Sequence, residues 1–185
     1  VLPGTYTVKL KIGDKEYTNK LVMVHDNSNK LFSEDDAKQQ YAAAMELYHM
    51  HEQLYTLVDS INAQQKMIKD NMDSVKKGSA KKMMKEYNAK LEELRSTLLA
   101  TKHKSIFADE KKLREYITED YAAICGQECR PTNLQIARIS VLNDDLKKGQ
   151  SAYQKLYTGY GEKTEKTIQE EKSKVAKSKP ENSSN

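Results

Sequence analysis

From residue 34 to residue 77 the chain has no Gly and no Pro, and Leu47, Leu54, Ile61, Ile68 and Val75 recur at every seventh position. No other feature limits the fold so sharply. A seven-residue apolar repeat lines up its members on one stripe of a helix. At 1.5 Å per residue such a helix is roughly 65 Å long. A helix of that length is not stable alone and must pack along its stripe. Ala44, His51, Val58, Gln65 and Met72 read as the companion series three positions earlier, and Tyr41, Tyr48 and Tyr55 run beside the seam. Ser33 with Asp36 reads as a capping box that starts the helix.

Gly78-Ser79 breaks this pattern. A second helix is predicted over 80–102, its stripe marked by Met84, Tyr87, Leu91, Leu94 and Leu98, and the short break makes it antiparallel to the first. "HKSIFAD" interrupts, and a shorter helix follows over 110–124 with Leu113, Ile117, Tyr121 and Ile124 on one face. After "CGQECRPTNLQ", Thr132 and Gln135 form a second capping box. The last helix carries Ile139, Leu142, Leu146, Tyr153, Leu156 and Tyr160. Gly149, Gly159 and Gly161 each weaken it by about 1 kcal/mol relative to Ala. It is expected to kink at Gly159 or to run on, frayed, to about residue 174.

Before the helices stands a different grammar. Tyr6, Val8, Leu10 and Ile12 alternate with Thr5, Thr7, Lys9 and Lys11, the period of a half-buried strand. Gly13-Asp14 supplies the turn, and a second strand over 16–24 completes a hairpin. An isolated two-stranded hairpin is marginal in water. This one either packs on the helices or ends a larger sheet, and the second reading is preferred. The fold class is thus mainly α: an antiparallel three- to four-helix bundle with two long helices, preceded by an N-terminal β-hairpin. The expected organisation is a hairpin at 1–25, a linker at 26–32, the bundle at 33–174 and a disordered polar tail at 175–185.

Composition agrees with long, solvated helices. Charged residues are 31%, apolar residues 37%, and 31 basic side chains stand against 27 acidic ones. The two signs are interleaved, and no aromatic-basic stripe marks a nucleic-acid surface. No apolar run reaches the roughly 20 residues of a membrane span.

Motif-like fragments fail on spacing. "HMHEQLY" lacks the second His of H-E-x-x-H, because Tyr55 stands in its place. His49 and His51 point about 200° apart on a helix and cannot share one ion. His51 is read instead as a polar seam position. "GYGEKT" interrupts the Gly-Lys-Thr of a P-loop with Glu162 and does not follow a strand. No catalytic, cofactor-binding or metal-ligating set emerges. Cys125 and Cys129 are the only cysteines. They lack the two further ligands of a zinc site and the reactive C-x-x-C spacing. They are left as a corner disulfide, where the compartment is oxidising, or as two thiols. The Tyr41, Tyr48, Tyr55 row reads first as the rim of the core; if exposed, it becomes the candidate interaction surface, since Tyr is enriched at interfaces.

Two stretches carry a resemblance. "LPGTYTVKLKIGDKEYTNKLVMVHD", through Gly4, Tyr6, Val8, Leu10, Tyr17, Thr18, Leu21 and Val24, resembles the last strands of the immunoglobulin- or fibronectin-like segment near the end of large secreted bacterial proteins. Those proteins carry sortilin-type, BNR-repeat β-propellers and are commonly labelled glycosyl hydrolases. Where that family continues Asp-Pro-Arg, this chain has Asp26-Asn27-Ser28. "CRPTNLQIARISVLNDDL", through Pro131, Thr132 and Gln135, is similar to the start of the family's last C-terminal helix. The resemblance implies an exported protein of Bacteroidetes-like source, periplasmic or extracellular, with the propeller upstream. It implies a non-catalytic C-terminal accessory module that needs no cofactor. Its partners would be the upstream propeller and sandwich domains of the same protein, or a second copy. None of the family's catalytic carboxylates maps onto this chain. The competing expectation is a self-contained helical adaptor or coiled-coil oligomer without enzymatic activity.

Overall fold

The computed structural model describes residues 1–26, 28, 30–101 and 110–177. It is mainly helical, with an antiparallel β-hairpin first. Strands β1 (Gly4–Ile12) and β2 (Lys15–Met23) pair through the Gly13-Asp14 turn, in the register Ile12 opposite Lys15 and Tyr6 opposite Leu21. Gly13 has φ +59°, the left-handed conformation that a side chain would strain. The helices are α1 (Glu34–Asn71), α2 (Gly78–Leu98), α3 (Leu113–Cys125), α4 (Asn133–Leu156) and α5 (Glu162–Lys177). A π turn, Tyr157–Gly161, joins α4 to α5, and the residues on both sides of it keep right-handed helical angles. These two helices therefore form one rod, the second long one. The "HKSIFAD" interruption, Asn27 and Asn29 of the linker, and residues 178–185 of the expected tail lie outside the described residues.

Several boundaries differ from expectation; the second helix ends at Leu98 and the third starts at Leu113, both inside their expected ranges. The first helix stops at Asn71 rather than near Lys77, and Gly78 and Ser79 open the second helix instead of breaking the first. A Cβ at Gly78 would meet nothing within 4 Å, so no close contact requires a glycine at this helix start. The last helix runs on through Gly159 without a break. It absorbs the glycines in a π turn and continues through residue 177.

The chain forms two compact units, residues 1–49 with 118–140 and residues 50–117 with 141–185. The first unit holds the hairpin, the start of α1, the end of α3 and the start of α4. Both capping boxes lie here and close as expected. The Asp36 amide donates to Ser33 Oγ at 3.1 Å and the Ser33 amide to Asp36 Oδ2 at 3.0 Å. The Gln135 amide donates to Thr132 Oγ1 at 3.2 Å and the Thr132 amide to Gln135 Oε1 at 2.8 Å. Replacing Thr132 with Ala is expected to lower stability by about 1 kcal/mol, read as a shift in the urea midpoint. An unchanged midpoint would show that the box does not hold this helix start. Gln40 ties the corner after α3, donating to the carbonyls of Ile124 at 2.6 Å and Gln127 at 2.5 Å. Arg138 and Asp120 pair at 2.7 Å.

The second unit holds the rest of α1, all of α2, the start of α3, most of α4, and α5. Here α1 and α2 run antiparallel: His51 to Asn62 of α1 lie beside Arg95 of α2, and Gln65 to Asp70 lie beside Lys85 and Asn88. Between them Gln65 donates to Glu92, and Tyr87 donates to Gln64. The α4–α5 rod runs in the direction of α1, with Gln150 donating to Gln53, and Tyr153 to the Ser60 carbonyl.

The seam residues Leu47, Leu54, Ile61, Ile68 and Val75 are all buried, as their repeat demands. The companion series is not the expected one. Ala43, Met50, Leu57 and Asn71 are buried, whereas Ala44, His51, Val58, Gln65 and Met72 are only half-buried. Positions three after and four after a seam residue flank it on opposite sides. A heptad alone does not say which flank meets the partner helices, and here it is the one bearing Met50 and Leu57. His51 is thus a groove residue rather than a core position, and burial lowers its pKa. Tyr121, expected on the buried face of α3, is exposed.

Between α2 and α3 the Glu115 carboxylate accepts from the backbone amides of Ala100 at 3.2 Å and Lys112 at 3.1 Å, and from Arg114 Nε at 2.7 Å. Partial burial pushes its pKa up, but the hydrogen bonds from Arg114, Lys112 and Ala100 outweigh it and hold the group below its ordinary value. A depressed carboxylate contributes stability that is complete above about pH 4.5 and is lost as pH falls through the lower folded value. Glu115→Gln is therefore expected to flatten the acid limb of a stability-versus-pH curve below about pH 4.5. An unchanged limb would exclude Glu115 as its source.

Candidate interaction surface

The hairpin is the least covered element. Both strands are exposed along their whole length. Directly opposite residues of an antiparallel pair share a face. One face therefore carries Tyr6 and Leu21, Val8 and Asn19, Leu10 and Tyr17, and Ile12 and Lys15; the other carries Thr5, Thr7, Lys9, Lys11, Glu16, Thr18, Lys20 and Val22. The first face is apolar and uncovered: Leu10 is 56% exposed, Ile12 60%, Tyr17 54% and Leu21 49%. Strands with such alternation have one side made for burial. On the polar face Lys9 and Glu16 pair at 2.8 Å.

The tyrosine row is exposed as well. Tyr41 and Tyr48 lie in the first unit and Tyr55 in the second, and Tyr55 is 69% exposed. Tyr48 meets His49 edge-on, 5.5 Å between ring centroids. Cys125 ends α3, Cys129 follows in the corner, and both are exposed free thiols. Cys125 faces Tyr121, whose phenol pKa is raised, first by that thiol's negative form.

A polar cluster in the second unit was not foreseen. Tyr87 is fully buried. Its hydroxyl donates to Gln64 Oε1 at 3.4 Å, while Gln64 Nε2 and Tyr157 Oη both donate to Glu165, at 3.0 and 3.1 Å. Tyr87 stacks on Tyr160 with centroids 5.9 Å apart, and Tyr160 donates to Glu86 at 2.7 Å. Burial raises the Tyr87 pKa far above the ordinary phenol value. The only sequence signal was the concentration of Tyr153, Tyr157 and Tyr160 next to two glycines. A groove of about 800 Å³ in the same unit is lined by His51, Leu54, Tyr55, Val58, Arg95 and Leu99. Arg95 reaches Glu92 at 3.4 Å, but its Nε is buried without a partner among the described residues.

Among the described residues no group of three or more His, Cys, Asp or Glu is placed to hold a metal ion, and no helix is long and apolar enough to cross a membrane. Searches of protein-family models, of curated proteins and of solved structures each find no match.

Proposed function

We propose that this chain is a non-catalytic accessory module of a larger exported, propeller-bearing protein, acting in domain packing. The observation that carries the reading is the hairpin's uncovered apolar face. Tyr6, Val8, Leu10, Ile12, Tyr17 and Leu21 are an amphipathic ribbon in need of a second layer. The resemblance of this ribbon to the closing strands of an immunoglobulin-like sheet supplies that layer, and with it a periplasmic or extracellular setting. The helical part has its own buried core, so it serves as a stable body attached to that sheet. The coiled-coil alternative would need an uncovered seam to dimerise through, and Leu47, Leu54, Ile61, Ile68 and Val75 are buried within the chain itself. The test is the intact mass of the native protein from its source cells, with the N-terminus sequenced. A species far heavier than 21.2 kDa with Val1 internal is expected. A native chain starting at or just before Val1 would overturn the proposal.

A further inference from the structure

We propose that the outer edge of β1, and not that of β2, accepts a further strand, supplied by the neighbouring β domain; the source of that strand rests on the function proposed above. The two edges differ in their backbone chemistry. A two-residue turn makes its flanking residues, Ile12 and Lys15, a hydrogen-bonded pair, and such pairs alternate along the ladder. The outward-facing amides are therefore those of Thr5, Thr7, Lys9 and Lys11 on β1, and of Glu16, Thr18, Lys20 and Val22 on β2. On β2 one of these is already occupied: the Lys20 amide donates to the side chain of Asn19 at 2.8 Å. The same strand interrupts the apolar face with Asn19 and Lys15, and inward-facing polar residues are how natural sheets blunt a terminal edge. On β1 the apolar run Tyr6, Val8, Leu10, Ile12 is unbroken. Lys9 is drawn across the ribbon onto Glu16, toward β2 and away from the outer edge of β1.

The occupant follows from area and charge. The uncovered apolar face is on the order of several hundred Å², comparable to the largest patch a typical monomer leaves open, which is often functional, so the incoming strand extends that face with apolar residues at alternate positions. Its other side meets Thr5, Thr7 and Lys11, next to a ribbon bearing Lys9, Lys11, Lys15 and Lys20 against Asp14 and Glu16. Like charges directly opposite destabilise a strand pair, so that side carries hydroxyl and acidic residues. A second copy of β1 would bring Lys9 and Lys11 instead.

The experiment is residue-resolved amide hydrogen exchange on the 185-residue chain, alone and with millimolar probe. The probe is an end-blocked nine-residue peptide alternating valine with threonine and glutamate. The expected result is at least tenfold slower exchange at Thr5, Thr7, Lys9 and Lys11, with no change at Thr18 and Lys20. Thr7→Pro removes one outward amide and no ladder bond; it should abolish the protection, while Lys20→Pro should leave it intact. Protection on β2, no protection at either edge, or protection of β1 that grows with protein concentration in the absence of peptide (a second copy) would each overturn the proposal. Mass and exchange fail separately. A short native chain whose β1 amides the probe protects removes the parent protein and keeps the edge. A long native chain whose β1 amides exchange as fast as in the isolated chain removes the edge and keeps the parent.

Discussion

Tyr87→Ala is expected to lower stability by about 3–5 kcal/mol, the range for deleting a fully buried aromatic side chain. Tyr87 is 0% exposed, stacks on Tyr160 and closes over Gln64. The truncation removes all of this at once. The phenol hydroxyl carries little of the total, because its bond to Gln64 is long at 3.4 Å. Tyr87→Phe keeps the ring and the stacking and should cost about 1 kcal/mol or less. Urea unfolding with far-UV circular dichroism reads both. Equal losses for the two variants would mean that the polar network, not packing, holds the site. A loss under 1 kcal/mol for Tyr87→Ala would mean that the ring is not part of the core.

The second large effect pairs two glycines of one π turn. A Cβ at Gly161 would lie 2.5 Å from Tyr157 Cδ2 and 2.9 Å from the Tyr87 hydroxyl, whereas one at Gly159 would meet nothing within 4 Å. Both positions are helical and neither has a positive φ. The intrinsic preference for Ala over Gly, about 1 kcal/mol, therefore acts at both. At Gly159 nothing opposes it, and Gly159→Ala should raise the unfolding midpoint. At Gly161 two buried or half-buried rings must move, and overpacking of this kind costs typically 1–3 kcal/mol. Gly161→Ala should lower stability by a net amount of up to about 2 kcal/mol. Opposite signs at two sites in one turn leave propensity no room as the explanation, while equal signs would refute the close approach. Since the Tyr87 hydroxyl is one of the two obstacles, Gly161→Ala should cost less in a Tyr87→Phe background, with a coupling of about 0.5 kcal/mol or more.

These glycines also mark a limit of pattern reading. Gly159 and Gly161 look like helix breakers in the sequence. The chain uses them instead in a π turn, a form that appears mostly as single turns inside α-helices. Gly161 leaves room under Tyr157 and Tyr87, a need that exists only once α2 and α1 are in place. Tyr153 and Tyr160 were visible as stripe residues, but the partners of this cluster from other helices, Gln64, Glu86 and Tyr87, are distant in sequence. Glu115 had a weaker signal, a carboxylate at the third position of a helix, where a capping box places one. It lacked the Ser or Thr that makes the pattern recognisable, and its second partner, the Ala100 amide, is set by the packing. The exposure of Tyr41, Tyr48 and Tyr55 was equally undecided, because a residue one position from a seam can be rim or surface.

What the sequence determined by itself is local and periodic. The alternation of residues 5–12 and the Gly13-Asp14 turn define the hairpin and its register. The heptad of Leu47 to Ile68 defines the long helix and its buried stripe, and Ser33 and Thr132 define two helix starts. Each depends on neighbours within one or two turns, so spacing suffices to read it. What only the tertiary structure decided is which side of each stripe meets another element. The choice of Met50 and Leu57 over His51 and Val58 belongs here, as do the polar cluster around Tyr87 and the uncovered face of the hairpin. The physical reason is that a period fixes an angle around one helix or strand but not the position of its partner, and burial is a property of the pair.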